Sequence, residues 1–184
     1  SQDQVSVAYG GLNHISFNKE KNFEVKPINL SKENKDMLIK NSLLFYTGVQ
    51  RFAVDVEKDK IQNIDGIWKN LDRISEIRDQ ALNYFKKDEI DIKNIALLLD
   101  VSWKEKKKLS KKVSVDFINE AYDEAVKCGA LGGKLLGAGG GGFMYFIAPP
   151  ETHSNIEKKL KGFIKVDFTF DEEGSKTIFK SNEK

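Results

Sequence analysis

Five of the six residues from Gly137 to Gly142 are glycine, with Ala138 the exception, and the run lies between Gly132-Gly133-Lys134-Leu135-Leu136 and Phe143-Met144-Tyr145-Phe146-Ile147. Glycine loses more conformational freedom on folding than any other residue, so a cluster of this kind costs stability unless the backbone needs positive φ or a close approach. A tight turn between two strands needs only one or two glycines. The surplus therefore points to a loop whose backbone amides come close to an anion or to another loop. The standard phosphate loops do not fit. There is no Gly-Lys-Ser/Thr ending, and a dinucleotide fingerprint opens a helix, whereas these glycines open an apolar, strand-like run.

The rest of the pattern supplies a frame for that loop. Val5 to Tyr9 read as a short helix stopped by Gly10-Gly11, with Asp3 at its amino end. Leu12 to Phe17 and Phe23 to Ile28 flank the polar stretch Asn18 to Asn22, as a hairpin would. Pro27 and the polar residues Asn29 to Asp36 mark a boundary. Leu43 to Thr47 form an apolar, aromatic strand ended by Gly48. Ile67, Leu71, Ile74, Ala81, Leu82 and Phe85 fall on one helical face, and Phe117, Ile118, Ala121, Tyr122, Ala125 and Val126 on another. Trp68 and Trp103 are read as packing residues, and Ile92 to Val101 as a short helix leading into lysines. Phe143 to Ile147 are apolar at successive positions, the pattern of a strand covered on both faces. Ile164, Val166, Phe168 and Phe170 alternate with polar residues, so that strand has one buried face.

From Leu43 onward the order is strand, helices, strand, strand, helix, strand. That is the split β-α-β, ferredoxin-like arrangement of an α+β domain with an antiparallel sheet and helices inserted after the first strand. Residues 1–30 fall outside it and are expected to be the trailing edge of a preceding domain, with 31–184 as the domain proper.

Thirty Lys and Arg stand against twenty-eight Asp and Glu, a net charge of +2, so no global field steers nucleic acid. The lysines between Lys104 and Lys112 are either a solvated helix face or a local anion site. A single cysteine, Cys128, excludes an intramolecular disulfide, and with two histidines there is no pattern for a structural metal site. Hydrophobic residues are 40% and charged residues 32%, as in soluble globular proteins. No apolar run approaches the roughly 18 residues of a membrane helix, and the visible sequence begins without a secretory pattern. A cytoplasmic protein is the expectation.

The string Lys134-Leu135-Leu136-Gly137-Ala138-Gly139-Gly140-Gly141-Gly142-Phe143 resembles the third sequence motif of the GHMP kinases. Gln2-Asp3-Gln4 ahead of Gly10-Gly11 is similar to the segment carrying the catalytic aspartate in sugar kinases of that family. The closest resemblance within it is to kinases of D-glycero-D-manno-heptose 7-phosphate. It extends through Gly10 to Asn13, Leu43 to Gly48 with Arg51, Trp103 to Ser110, and Gly132 to Phe146. The Pro-x-x-x-Gly-Leu-Gly-Ser-Ser loop that wraps the ATP phosphates in relatives does not occur in this sequence. The chain is thus expected to be the C-terminal half of such an enzyme and inactive alone, the other half having been cut away or being supplied by a partner chain.

The resemblance implies ATP and Mg²⁺ in the intact enzyme, with transfer of the γ-phosphate to the anomeric hydroxyl of a heptose 7-phosphate. Asp3 would be the base, although an aspartate at a helix start also serves as a cap. Gly137, Ala138, Gly139, Gly140, Gly141 and Gly142 would support the missing phosphate loop. Gly10 and Gly11 would border the sugar. Arg51, Lys106, Ser110 and Lys134 are the candidates for holding the substrate and its phosphate, by charge-assisted hydrogen bonds in the case of the cations. No nucleic-acid or membrane partner and no protein-bound metal site are expected. His14, His153 and Cys128 are read as structural. The competing readings are another kinase of this family, of the galactose or fucose type, and a non-catalytic ferredoxin-like binding module.

Overall fold

The computed structural model describes residues 2–20, 22–49 and 64–179. The chain divides into two compact units, one of residues up to Ser31 together with those from Thr169 on, the other Lys32–Phe168.

In the first unit, helix α1 (Gln2–Tyr9) precedes a hairpin of β1 (Asn13–Phe17) and β2 (Phe23–Pro27), paired antiparallel from Asn13 with Pro27 to Phe17 with Phe23. The expected hairpin and its polar turn are present, with Asn18 Oδ1 accepting from the amides of Glu20 and Asn22. Phe23 packs edge-on to Tyr9 of α1 and beside Phe17, with ring centroids 6.4 and 6.2 Å apart. Helix α1 stops at Gly10, whose amide donates to the Ser6 carbonyl at 3.0 Å. The C-terminal segment closes on this end: the Gly11 amide donates to the Asp171 carbonyl and the Ser175 amide to the Ala8 carbonyl.

The second unit has α2 (Lys32–Lys40), β3 (Ser42–Tyr46), α3 (Ile64–Phe85), α4 (Ile92–Lys108), α5 (Asp116–Lys127), β4 (Gly132–Leu135), β5 (Phe143–Ile147), a 3₁₀ turn (Pro150–Thr152), α6 (His153–Lys159) and β6 (Ile164–Lys165). Its sheet runs β4-β5-β3-β6 and every neighbouring pair is antiparallel. In chain order this is second, third, first, fourth, the ferredoxin-like topology, with α3 to α5 inserted after the first strand. The fold class matches the sequence reading.

Strand alternation sorts the two faces. Leu43 and Phe45 of β3, Leu135 of β4, and Met144 and Phe146 of β5 are all at most 1% exposed. They form one cluster with Trp103, Ile118, Tyr122, Ala125 and Ile156 from the helices, so the helices cover that face. Each large side chain buried there contributes about 1.5–3 kcal/mol relative to exposure. Leu44, Tyr46, Lys134 and Tyr145 lie on the other face, only half-buried.

Four local expectations change. The helix expected over Ile92 to Val101 continues through the lysines to Lys108, because Lys104 and Lys108 pair with Asp100 and Glu105 one turn earlier and leave the helix unbroken. Asp91 starts it, its side chain accepting from the Asn94 amide at 3.0 Å, which holds its carboxyl below the usual range. Trp68 is 54% exposed and not a core residue, since it adjoins Ile67 but lies about 100° off its stripe. Val126, beside the buried Ala125, is exposed for the same reason. Ile164 is exposed too, and the strand expected along Ile164 to Phe170 is confined to Ile164–Lys165; Val166, whose amide donates to the Leu44 carbonyl at 2.8 Å, Phe168 and Phe170 are partly buried but lie beyond it. Among the described residues no helix is long and apolar enough to cross a membrane.

Candidate functional site

The glycine loop leaves β4 and returns as β5. Leu135 pairs with Met144, and the Leu136 amide donates to the Phe143 carbonyl at 2.8 Å. Beyond that point φ is +71° at Gly137, +124° at Gly139, +78° at Gly140 and +102° at Gly142. At the exit end, the Gly142 amide donates to the Val49 carbonyl (2.9 Å) and to Thr47 Oγ1 (3.1 Å), and the Thr47 amide donates to the Gly142 carbonyl (2.9 Å). In the middle, the Gly140 amide donates to the Val113 carbonyl at 2.9 Å. At the entry end, Lys106 Nζ donates to the carbonyls of Leu135 (3.1 Å) and Gly137 (2.5 Å).

Two positions require glycine for space. A Cβ at Gly139 would stand 2.7 Å from the Val113 carbonyl oxygen, and one at Gly141 2.5 Å from that of Val49. Both obstacles are backbone and have no rotamer by which to retreat. With the amides of Gly140 and Gly142 committed inward, those of Gly137, Gly139 and Gly141 have no protein acceptor among the described residues. Amides left over in such a loop are chemically suited to an anion.

A family model described as "GHMP kinases C terminal" matches residues 71–165, just over half of the chain. The chain belongs to the GHMP kinase family. A D-glycero-alpha-D-manno-heptose 7-phosphate kinase of Campylobacter jejuni subsp. jejuni serotype O:2 is 33% identical over 183 residues, covering 96% of this chain and 53% of that protein. The chain thus spans about half the length of this curated relative. Two of the solved structures that share its fold are similar over most of the chain. A D-glycero-D-manno-heptose 1-phosphate kinase from Bacteriodes thetaiotaomicron matches 94% of this chain and 46% of its own, with TM-score 0.63 and 23% identity. A mevalonate kinase from L. major matches 83% and 45%, with TM-score 0.65 and 22% identity.

The glycine run that resembles the family's motif is the loop described above, and the remaining candidate residues fall as follows. Ser110 is buried in the turn after α4; its Oγ accepts from the Lys112 amide at 3.0 Å, and its carbonyl accepts from Val113, the residue that holds Gly140. Lys134 lies on the sheet face away from the core cluster, in register with Tyr145. Burial pulls its ammonium below the usual lysine range, and among the described residues no hydrogen-bond or charge partner relieves it. Asp3 belongs to the first unit, exposed in the first turn of α1. Gly10 and Gly11 follow that helix with φ of +67° and +66°. Arg51 lies outside the described residues.

Sequence reasoning passed over Thr47, Val49 and Val113 as site residues, yet these hold the loop. Nothing in the local sequence of any of the three marks it for this role. Cys128 packs at the edge of the core, and His153 Nε2 lies 3.0 Å from the Ala148 carbonyl. His14 Nε2 is buried without a hydrogen-bond partner among the described residues.

Proposed function

We propose that this chain is the C-terminal half of an ATP-dependent sugar kinase that transfers the γ-phosphate to the anomeric hydroxyl of a heptose 7-phosphate. The observation that carries this reading is the braced glycine loop, in which the amides of Gly137, Gly139 and Gly141 have no acceptor among the described residues. Phosphoryl transfer needs positioned donors more than covalent chemistry from the protein. The heptose assignment is supported by the 33% identity that extends across nearly the whole chain.

In this reading the Asp3 carboxylate takes the proton of the sugar hydroxyl as its oxygen bonds to the γ-phosphorus. The bond to the bridging oxygen breaks and ADP departs with the electron pair. Gly10 and Gly11 border the sugar, while Gly137 to Gly142, Ala138 included, support the phosphate-wrapping loop of the other half. Arg51, Ser110 and Lys134 are the groups proposed to hold the substrate. Mg²⁺, bound together with the nucleotide, would supply neutralisation of the charge developing on the phosphates. A cytoplasmic setting, where ATP and sugar phosphates are available, belongs to the same proposal.

A sugar without a phosphate, as for a galactose- or fucose-type kinase, is the second reading. It is favoured by the engagement of Lys106 with loop carbonyls, which reduces the case for a dedicated phosphate clamp. Side-by-side turnover of heptose 7-phosphate and heptose by the full-length protein separates the two.

The mechanistic test is Asp3→Asn in the full-length protein. Single-turnover transfer should slow at least about 10²-fold, the lower range of general-base catalysis, with substrate affinity changed far less. A chemical step within about threefold of the parent would make Asp3 a helix cap and put the base elsewhere.

A further inference from the structure

Lys106 sits in the last turn of α4 with its ammonium on the carbonyls of Leu135 and Gly137, residues 29 and 31 positions along the chain. Those carbonyls flank Leu136, where the strand ends and the positive-φ segment begins. One cation drawing together the carbonyls of residues i and i+2 fixes the bend at the loop entry. The side chain is itself held, with Nζ 5.9 Å from the ring centroid of the fully buried Trp103. The far end has the matching brace in Thr47, and the middle in the Val113 carbonyl. A loop of glycines has no side chains with which to fix its own conformation, so its order must come from outside. Hydrogen bonds from an ammonium are about twice as strong as neutral ones.

We infer that Lys106 is a positioning residue: it sets the conformation of the glycine loop through the Leu135 and Gly137 carbonyls, and does not act by gripping the phosphate of the substrate. This rests on the kinase reading above for its effect on rate, but not for its effect on the loop. Displacement of a positioning element by about 1 Å can cost on the order of 10²-fold in rate.

The test is Lys106→Met in the full-length protein, which keeps the apolar stem and removes the donor. Amide hydrogen exchange of Gly140 and Gly142, the loop amides bonded to protein oxygens, should accelerate in the ligand-free protein by about tenfold or more, a tenfold change corresponding to about 1.4 kcal/mol of opening free energy. In the kinase assay kcat should fall about tenfold or more, equally for heptose 7-phosphate and for heptose, with KM for the phosphorylated sugar moving less than about threefold. Lys106→Gln, which keeps a neutral donor, should move both readouts the same way by less, and it replaces the methionine variant if that one fails to fold. Unchanged loop exchange, or a KM rise confined to the phosphorylated sugar at constant kcat, would overturn the inference. If the parent protein phosphorylates neither sugar, the kinase reading fails and the exchange measurement still decides the role of Lys106.

Discussion

Replacing Gly139 with alanine tests whether the glycine loop is braced as described, because its cost follows from two separable features. The first is backbone conformation. With φ at +124°, Gly139 occupies a region that costs a residue bearing a Cβ about 1–3 kcal/mol. The second is space, since the added carbon would stand 2.7 Å from both Cα and carbonyl oxygen of Val113. The loop must back away from Val113 and stretch the 2.9 Å bond from the adjacent Gly140 amide to that same carbonyl, a loss of about 1 kcal/mol. Together these give about 2–4 kcal/mol. Gly137→Ala is the matched control. Its φ of +71° lies near the left-handed basin and nothing stands within 4 Å of the added carbon, so only about 1 kcal/mol is expected. In urea, with a slope of about 2 kcal/mol per molar, the midpoint should drop by about 1–2 M for Gly139→Ala and about 0.5 M for Gly137→Ala. Trp103 is fully buried, so its fluorescence reports loss of the core directly. Equal losses in the two variants, to within about 0.5 kcal/mol, would mean that Gly139 is not packed against Val113 and that the loop is unbraced.

Two further outcomes follow from titratable groups in the second unit. Burial lowers the Lys134 pKa from its ordinary value of 10.5, so the associated stability is present above that pH and is lost as pH falls through the lowered value. Lys134→Met should therefore raise the urea midpoint at pH 7, with the gain fading above about pH 10, and should slow the full-length kinase if the amine meets substrate; destabilisation at pH 7 would contradict this. Tyr122 donates to Asp100, and burial first, then that bond, push its phenol far above 10.0. A raised pKa gives stability that is complete below about pH 10 and lost as pH climbs. Tyr122→Phe should cost about 1.5–3 kcal/mol at pH 7, as expected of a hydrogen bond to a charged acceptor, and should flatten the alkaline decline; an unchanged slope above pH 10 would refute it.

The features that could be read from the sequence are those in which the residues break a local rule or keep a strict period. Five glycines in six positions are too costly to be incidental, and they do form the loop on which the site is built. The stripe through Ile118, Ala121, Tyr122 and Ala125 is the buried face of α5, and the same logic applied strictly would have put Trp68 outside, one position off the Ile67 row. What could not be read is what obeys local rules while acting at long range. A lysine in a helix rich in lysine is unremarkable by composition, and its function as a brace depends on carbonyls 29 and 31 residues away. A threonine closing a strand is equally ordinary, though Thr47 binds an amide 95 residues on. Neither partner follows from periodicity, because each is brought in by the crossing of β3 between β5 and β6 and by the path of α4 beside β4. The excess of glycine and its remote braces are two halves of one device. A loop free of side chains presents its amides, and its lack of side chains is the reason that its rigidity has to be supplied by residues whose sequence context gives no sign of it.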